Sequence, residues 1–362
     1  MRIRLVAWVI VIVGLVLAAP LESVLAARGT PGSAEFGYGA HLNLTGPFAI
    51  DGIRLASNLQ LDWLAIDLSW QSIAPKAGAV DWSRIDPILQ AAEHSQVAVF
   101  LSLTGAPDWA IGPQGPDVAQ TTQLIQQMAQ RYPKSLQAIE LFPGANTTQG
   151  WGRPPDAAAY LKVWNSVITS LKKIKSPILL VAAGLKPVPA NSAPAEAIDD
   201  LVFLQNLYNL GIRSSLNIIS VQASGLSGDP LQNPTQEQNI VLRHYEEVRQ
   251  VMLKNKHEAG LIWLTRLEPP SDQAAGSENP ANQSIWLTQA FNQIKSQLYI
   301  GVAFLNGVNP NGTGQGISLL QPGGDYHPFY RILRDLVSIN RSDSPYHRPG
   351  RPKDQPLQKS VK

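Results

Sequence analysis

Apolar segments of strand length alternate with segments of helical periodicity along most of this 362-residue chain. Eight apolar segments read as strands, at residues 36–43, 61–68, 97–104, 138–142, 178–184, 217–222, 260–265 and 298–305. A helix is predicted after each of them, at residues 51–59, 81–94, 118–131, 156–174, 196–210, 236–254, 284–297 and 326–339. Eight βα units over roughly 300 residues have the size of a closed barrel. The sequence therefore predicts an α/β fold, a single (β/α)8 TIM barrel over residues 36–340.

The strand segments also have the composition of a parallel sheet that is covered on both faces. Residues 97–103 (V-A-V-F-L-S-L) and 178–184 (I-L-L-V-A-A-G) are near-continuous apolar runs, as expected for buried parallel strands. A doubly wound open sheet predicts the same local alternation. The chain has no G-x-G-x-x-G motif after the first strand, which argues against the dinucleotide-binding form of that fold.

Charge and cysteine content exclude several kinds of function. The net charge is +2, of which residues 341–362 contribute +4 and residues 1–27 contribute +1, so the barrel region carries −3. Because the barrel region is not basic, nucleic acid is not expected as a partner. The chain has no cysteine, which removes disulfides, thiolate catalysis and cysteine metal sites. Its histidines show no metal-ligand spacing such as H-E-x-x-H, so no metal or cofactor is predicted.

The N-terminus has the features of an export signal. Arg2 and Arg4 precede an apolar run at residues 5–19, and small residues near Ala27 offer a cleavage site. A cleaved signal peptide and an uncleaved membrane anchor both remain open for residues 1–27, and both predict a protein that is secreted or held outside the cytoplasmic membrane. Contact with the membrane is expected only through this segment. Residues 28–35 read as a linker, and residues 341–362 as a disordered, basic, proline-rich tail.

Four segments carry motifs that occur in a fixed order along the predicted barrel. They are residues 138–151 (A-I-E-L-F-P-G-A-N-T-T-Q-G-W), 70–82 (W-Q-S-I-A-P-K-A-G-A-V-D-W), 101–110 (L-S-L-T-G-A-P-D-W-A) and 262–268 (I-W-L-T-R-L-E). Together they resemble motifs of the clan A glycoside hydrolases, which are retaining (β/α)8 enzymes. In that clan the fourth strand runs into W-N-E-P-N and the seventh carries W-x-T-E-x-G, and each motif supplies one catalytic Glu. The resemblance implies a barrel that binds a sugar at its C-terminal face.

Both catalytic positions of the clan are replaced in this chain. Gly144 stands at the place of the acid/base Glu, Pro143 at the place of the Asn before it, and Arg266 at the place of the nucleophile. Retaining hydrolysis needs two carboxyl groups about 5–5.5 Å apart. Glycine has no side chain, and an arginine does not deprotonate in a protein, so neither can replace a Glu.

The remaining candidate residues have both a structural and a functional interpretation. Glu268 and Glu140 are the carboxylates nearest to the two replaced positions. Glu268 is either a displaced nucleophile or a partner of a basic neighbour, and Glu140 is either a hydrogen-bonded group inside the barrel or a catalytic one. The predicted ligand-binding residues are Trp70, Trp109, Trp151, His41, Asn146, Gln222 and Arg266. Each tryptophan either stacks on a sugar or packs a loop against the barrel.

These observations predict an exported barrel that is catalytically degenerate. Its C-terminal face is expected to bind a glycan or another partner in the cell envelope. The alternative is an active glycosidase with a rearranged carboxylate pair that includes Glu268. A scaffold protein whose old pocket is filled is the third possibility.

Overall fold

The computed structural model describes residues 27–342, apart from residues 34, 43–48, 189–195, 224–225, 227–228, 235–240, 269–279, 307–318, 320–325 and 327. Eight parallel strands form a closed barrel in the order β1-β8-β7-β6-β5-β4-β3-β2. The strands are β1 Gly37–Leu42, β2 Trp63–Ser69, β3 Ala98–Thr104, β4 Leu136–Leu141, β5 Leu179–Leu185, β6 Ile218–Gln222, β7 Leu261–Leu267 and β8 Ile300–Leu305. The first and last strands pair directly, with Gly37 opposite Val302. This pairing confirms the (β/α)8 TIM barrel and excludes the open sheet.

A helix follows each strand and packs on the outside of the barrel. The helices are α1 Ala49–Asn58, α2 Asp86–His94, α3 Val118–Arg131, α4 Ala157–Lys173, α5 Asp200–Asn209, α6 His244–Lys254, α7 Pro280–Lys295 and α8 Pro328–Ser342. The predicted bounds of α3 are confirmed, whereas α2 begins five residues later than predicted. The side chain of Asp81 accepts a hydrogen bond from the Ser83 N–H at 3.0 Å and closes a local turn, so it does not cap the helix.

The core has two parts, as the barrel geometry requires. A layer between the sheet and the helices contains most of the buried apolar side chains. A second cluster fills the inside of the barrel, and its members are Trp63, Ala65, Phe100, Ala138, Val181, Ile218, Trp263, Val302 and Phe304. Side chains at every second position of a strand point inward, so the residues that continue this alternation toward the C-terminal strand ends face the mouth of the barrel.

The predicted linker at residues 28–35 is wrong, because the described part of this segment closes the N-terminal end of the barrel. The indole N–H of Trp63 donates to the carbonyl of Arg28, and that of Trp263 donates to the carbonyl of Gly29, both at 2.8 Å. Arg28 forms an ion pair with Glu35 at 2.8 Å. Two interior tryptophans need acceptors for their N–H groups, and the segment supplies them.

The predictions for the two ends of the chain lie almost entirely outside the described residues. The export segment is described only at Ala27, and the tail only at Arg341 and Ser342, which belong to α8. Within the described part of the chain, no helix combines the length and the apolar character that crossing a membrane requires.

Candidate functional site

A polar layer lies above the apolar interior, at the C-terminal ends of the strands. We use the name polar layer for His41, Asp67, Ser102, Glu140, Ser220 and Thr265, which are contributed by β1, β2, β3, β4, β6 and β7. Asp67, Ser102 and Glu140 occupy directly paired positions on three neighbouring strands. In (β/α)8 enzymes the C-terminal strand ends carry the functional residues, so the polar layer forms the floor of the candidate site.

Glu140 is the hydrogen-bonding centre of the polar layer. Its carboxylate accepts from the Ser102 hydroxyl at 2.5 Å and from the Gly184 N–H at 2.6 Å, and its side chain is buried. Burial raises the pKa of Glu140, although hydrogen bonds and the charge of Arg266 oppose that rise. Both carboxylate oxygens are used inside the protein, and Glu140 is only 2% exposed. The structure therefore favours the structural interpretation of Glu140 over the catalytic one.

Gly184 makes the close approach of Glu140 to β5 possible. A Cβ atom at this position would lie 2.7 Å from the Ser220 hydroxyl oxygen and 2.9 Å from Oε1 of Glu140. Both distances are shorter than a carbon atom tolerates, so a side chain at residue 184 would displace the network.

Arg266 closes one side of the mouth through an ion pair with Asp67. One terminal nitrogen of its guanidinium lies 2.7 and 2.8 Å from the two oxygens of Asp67. The strands β7 and β2 are separated by β8 and β1, so this side chain spans two intervening strands. Arg266 has a φ of 59° at a register irregularity between β7 and β8. The left-handed conformation turns the residue away from the regular strand, as bulges near active sites commonly do.

The environment of Asp67 favours its ionised form. Burial alone would raise the pKa of Asp67, but His41 and Arg266 together lower it to about 2. His41 Nε2 lies 3.3 Å from Oδ1 of Asp67 without the alignment of a hydrogen bond, and this buried nitrogen has no other partner among the described residues. The mouth therefore holds a fixed anion and a fixed cation, with a buried imidazole beside them.

The backbone after β4 directs residue 144 toward the segment that leads to α4. Phe142 and Gly144 both have left-handed conformations, with φ of 52° and 75°. The N–H of Gly144 donates to the Gly184 carbonyl at 2.7 Å. A Cβ atom at Gly144 would face Thr147 and Gly150, the start of the segment that leads to α4. A side chain placed here would be strained and would point toward that segment.

Glu268 lies at the end of β7, where its side chain accepts a hydrogen bond from the Asn306 amide at 2.7 Å. It is half-buried, and its backbone N–H lies 3.4 Å from the Ala223 carbonyl. Arg266 pairs with Asp67 and not with Glu268. Glu268 is therefore a carboxylate at the rim of the barrel that takes no part in the ion pair between Arg266 and Asp67.

Two of the three predicted sugar-stacking tryptophans are wrong, because their rings are buried. Trp70 and Trp151 are each 1% exposed. Trp70 packs edge-on against Trp109, with ring centroids 5.7 Å apart, and Trp151 packs between Phe142 and Tyr160. They hold the loops after β2, β3 and β4 together as a wall. Trp109 is half-buried and donates to the Ala74 carbonyl at 2.9 Å, and it stays a candidate for contact with a sugar.

Asn146 is a second correction, because its amide is fully used inside the protein. Its side-chain nitrogen donates to the carbonyls of Lys186 and Ile198, and its oxygen accepts from the Lys186 N–H, all at 2.8 Å. Asn146 is completely buried and joins the loops after β4 and β5. Gln222 also donates to a backbone carbonyl, that of Gly184 at 2.7 Å, but it is half-buried and lies at the C-terminal end of β6.

Sequence reasoning missed Asp67, Ser102 and Ser220. Asp67 follows Trp63 and Ala65 in alternation, so the period of the strand could have placed it inside the barrel. Its partnership with Arg266 had no sequence signal, since the two residues are 199 positions apart. In the parts of the chain that the structure describes, no three His, Asp or Glu side chains are grouped to hold a metal ion.

An open cleft of about 630 Å³ lies on the outer wall, away from the polar layer, between the loop at residues 113–114 and α4 and α5. The carboxylate that lines it, Asp156, is occupied in capping α4 through the N–H groups of Ala158 and Ala159. The mouth, with its charged and polar side chains, is therefore a better candidate site than this cleft.

Clan A glycoside hydrolases share this fold. A family 39 glycoside hydrolase from Bacteroides cellulosilyticus superposes with a TM-score of 0.58 at 14% identity, covering 84% of this chain and 63% of its own. A family 5 glycoside hydrolase from Bifidobacterium longum gives a TM-score of 0.58 at 10% identity, with 86% and 80% covered. An endo-β-1,4-glucanase from Xanthomonas axonopodis gives 0.57 at 13% identity, with 84% and 99% covered.

The chain therefore has a glycoside hydrolase-like barrel fold, and at these identities the likeness extends to the fold alone. It spans about three fifths of the length of the family 39 enzyme. No family model matches the sequence, and no curated protein matches it either.

Proposed function

We propose that the protein is an exported barrel without retaining glycosidase activity, and that its mouth binds a glycan or another polymer of the cell envelope. The ion pair between Arg266 and Asp67 carries this proposal. Arg266 stands at the place of the nucleophile in the clan motif, and its guanidinium is held at the mouth by both oxygens of Asp67. A fixed cation there opposes the oxocarbenium-like charge that develops during glycoside hydrolysis.

The acid/base position supports the same conclusion. Gly144 supplies no proton donor, and its backbone directs a side chain toward Thr147. General acid assistance typically contributes 10²–10⁴-fold to a rate. A leaving group in this mouth would have to depart without it.

Turnover of activated aryl glycosides of several sugars tests the loss of catalysis. The wild-type protein is expected to release no aryl alcohol above the uncatalysed rate. A double variant, Gly144→Glu with Arg266→Glu, is expected to remain inactive. A side chain at residue 144 would be strained and would face Thr147 and Gly150, and a carboxylate at residue 266 would repel Asp67. Activity of the double variant would show that the old geometry is retained and only the chemistry is lost.

Glycan binding is supported by the donors and acceptors that remain at the mouth. Arg266 and Asp67 are 23% and 34% exposed, and Trp109 and Gln222 are half-buried beside the mouth. A glycan array followed by calorimetry tests this step. Arg266→Gln is expected to weaken binding by about 1–3 kcal/mol, the range for losing a charged hydrogen bond, whereas Arg213→Gln on the opposite end of the barrel is the matched control. A folded protein that binds no glycan would favour a scaffold role.

An active glycosidase with a rearranged carboxylate pair is the second candidate function. Glu268 and Asp67 both supply carboxylates at the mouth, and neither is fully buried. Glu268→Gln and Asp67→Asn variants distinguish this candidate in the aryl glycoside assay. Wild-type turnover that disappears in either variant would replace the binding proposal with this one.

A further inference from the structure

The N-terminal end of the barrel, opposite the mouth, presents a basic surface. We use the name base for the loops that lead from each helix into the next strand, together with the last turns of those helices. Exposed cations of the base that form no ion pair with a described carboxylate are Lys172, Lys173, Lys175, Arg213, Lys254 and Lys256. Exposed carboxylates of the base in the described residues are Glu93, which pairs with Lys134 at 3.0 Å, and Glu258. The base is therefore strongly cationic although the barrel region as a whole is not.

Helix capping explains only part of this charge. Cations are favourable in the last turn of a helix, which accounts for Lys172, Lys173 and Lys254. Lys175 and Lys256 lie past the helix ends and have left-handed conformations, with φ of 53° and 55°. Glycine is the usual residue in this position after a helix because it avoids the strain of a Cβ atom. The chain thus carries lysine at two places where glycine would be less strained.

Exposed leucines accompany the cations on the same face. Leu298 is 94% exposed in the loop between α7 and β8, and Leu253 is 39% exposed at the end of α6. Lysines next to exposed apolar side chains are the composition of surfaces that lie in a membrane interface. Anionic lipids attract such a surface, because each Lys or Arg close to the membrane strengthens binding roughly fivefold.

The chain outside the described residues joins the barrel at this face. Residues 1–26, with the apolar run at residues 5–19, lead directly into the segment that closes the base at Arg28 and Gly29. The mouth has the opposite character, since its helix starts are capped by Asp117, Asp156 and Asp199. This charge distribution favours the orientation in which the base, and not the mouth, faces an anionic surface.

We propose that the base docks on an anionic lipid surface, with its lysines at the headgroups and its exposed leucines in the interface, so that the mouth faces away from the membrane. This docking does not depend on what the mouth binds, and it requires only peripheral contact by the barrel itself.

Fluorescent labels on the full chain test the orientation, because the protein has no cysteine of its own. Leu298→Cys places a label on the base, and Arg153→Cys places one on the mouth side. The labelled proteins are mixed with vesicles of phosphatidylcholine alone, or with an equal share of phosphatidylglycerol, each containing a lipid-bound quencher. We expect quenching of the base label on the anionic vesicles and none of the mouth label. Equal quenching of both labels, or of neither, would overturn the proposal.

Charge variants of the base-labelled protein test the electrostatic part. Lys172→Glu, Lys173→Glu and Lys175→Glu together are expected to weaken anionic-vesicle binding at least on the order of a hundredfold. Lys76→Glu, Arg153→Glu and Lys186→Glu, on exposed loops that follow β2, β4 and β5 at the mouth side, make the same change in net charge and are expected to bind nearly as the parent does. Equal loss in both triple variants would mean that net charge alone acts, and the docking face would be rejected.

A second pair of substitutions separates docking from folding. Lys175→Gly and Lys256→Gly relieve the left-handed strain, so the free energy of unfolding is not expected to fall, while vesicle binding weakens on the order of tenfold. Quenching of the base label that is as strong on neutral vesicles as on anionic ones would mean that residues 1–26 alone hold the protein there, and the proposal would be overturned. Tight binding to dextran sulfate without binding to vesicles would assign the base to a soluble polyanion, and the lipid proposal would fail.

Discussion

Arg266 combines a strained backbone with a side chain that reaches across the mouth. A non-glycine residue in the left-handed region costs on the order of 1–3 kcal/mol and persists where its surroundings hold it in place. Its ion pair with Asp67 and the irregularity of β7 supply that constraint. Arg266 therefore determines both the charge and the backbone conformation on its side of the mouth.

The titration of Asp67 follows from its burial and from its contacts with His41 and Arg266. Burial alone would raise the pKa of Asp67, but His41 and Arg266 lower it from 3.8 to about 2, so the ionised carboxylate adds stability above pH 4 and loses it as the pH falls toward 2. In an Arg266→Gln variant the pKa of Asp67 is expected to rise, which carbon-13 NMR of the carboxyl group measures. Arg153→Gln, outside the pair, should leave the titration unchanged. A titration midpoint near 4 in the wild-type protein would show that the ion pair does not form in solution.

Substitution of Trp151 tests whether its ring holds the loops of the wall together. Replacing it with alanine removes a ring that is 1% exposed and leaves the Gln114 carbonyl without its 2.7 Å donor. We expect the free energy of unfolding to fall by about 3–5 kcal/mol, as for other buried tryptophans. Urea denaturation measures the change, and Trp109→Ala is the half-buried comparison. A smaller loss at Trp151 than at Trp109 would contradict the assignment of Trp151 to the wall.

The contact between α5 and α6 depends on a buried charged histidine. His244 Nε2 lies 2.6 Å from Asp200 on α5, and Nδ1 lies 2.8 Å from Glu247 on α6. Burial alone would lower the pKa of His244, but the two carboxylates raise it from 6.5 to about 9. The two helices are thus joined by an imidazolium that is protonated at neutral pH.

This arrangement predicts a loss of stability on the alkaline side. The folded state binds the proton more tightly than the unfolded state, so the contribution is fully present below pH 6.5 and disappears as the pH rises through about 9. Between these pH values the free energy of unfolding is expected to fall by up to about 3 kcal/mol less in His244→Gln than in the wild-type protein. Denaturant unfolding at pH 6 and pH 9 measures it, with His94→Gln on the surface as the control. An equal pH dependence in wild type and His244→Gln would remove His244 as the cause.

At the scale of the whole molecule, the segment before β1 acts as the closing element of the barrel. Trp263→Phe keeps an aromatic ring in the interior but leaves the Gly29 carbonyl without its donor. We expect a loss of about 1–3 kcal/mol in the free energy of unfolding, the cost of an unpaired buried acceptor. Hydrogen exchange of the Gly29 N–H, which donates to the Glu35 carbonyl at 2.7 Å, should become faster.

A matched substitution elsewhere checks that this effect belongs to the segment. Trp164 donates to the Ser215 hydroxyl at 2.9 Å, and that hydroxyl also donates to the Ile212 carbonyl. Trp164→Phe should therefore cost less and leave the exchange of Gly29 unchanged. Faster exchange at Gly29 in both variants would indicate a general loss of stability instead of a detached segment.

The period of the sequence determined the eight βα units and a parallel sheet that is buried on both faces. A doubly wound open sheet has the same local pattern, so the pairing of β1 with β8 decided in favour of the closed barrel. The same local signals located α3 to the residue, because Asp117 caps it and Tyr132 ends it. The placement of Gly144 and Arg266 at the two catalytic positions of the clan motifs stays a prediction from the sequence.

Only the tertiary structure decided what the individual side chains do. Asp67 and Arg266 are 199 positions apart and meet because the closed sheet brings β2 and β7 to the same rim. Trp70 and Trp151 are of a residue type that stacks on sugars, yet the loops fold over them. Burying a large ring lowers the free energy of the folded state more than exposing the ring would. Residues 28–33 have the composition of a linker, and the interior tryptophans Trp63 and Trp263 turn them into part of the core by requiring acceptors. Local sequence fixes periodicity, whereas the partners of polar and aromatic groups depend on contacts between residues that are distant in the chain.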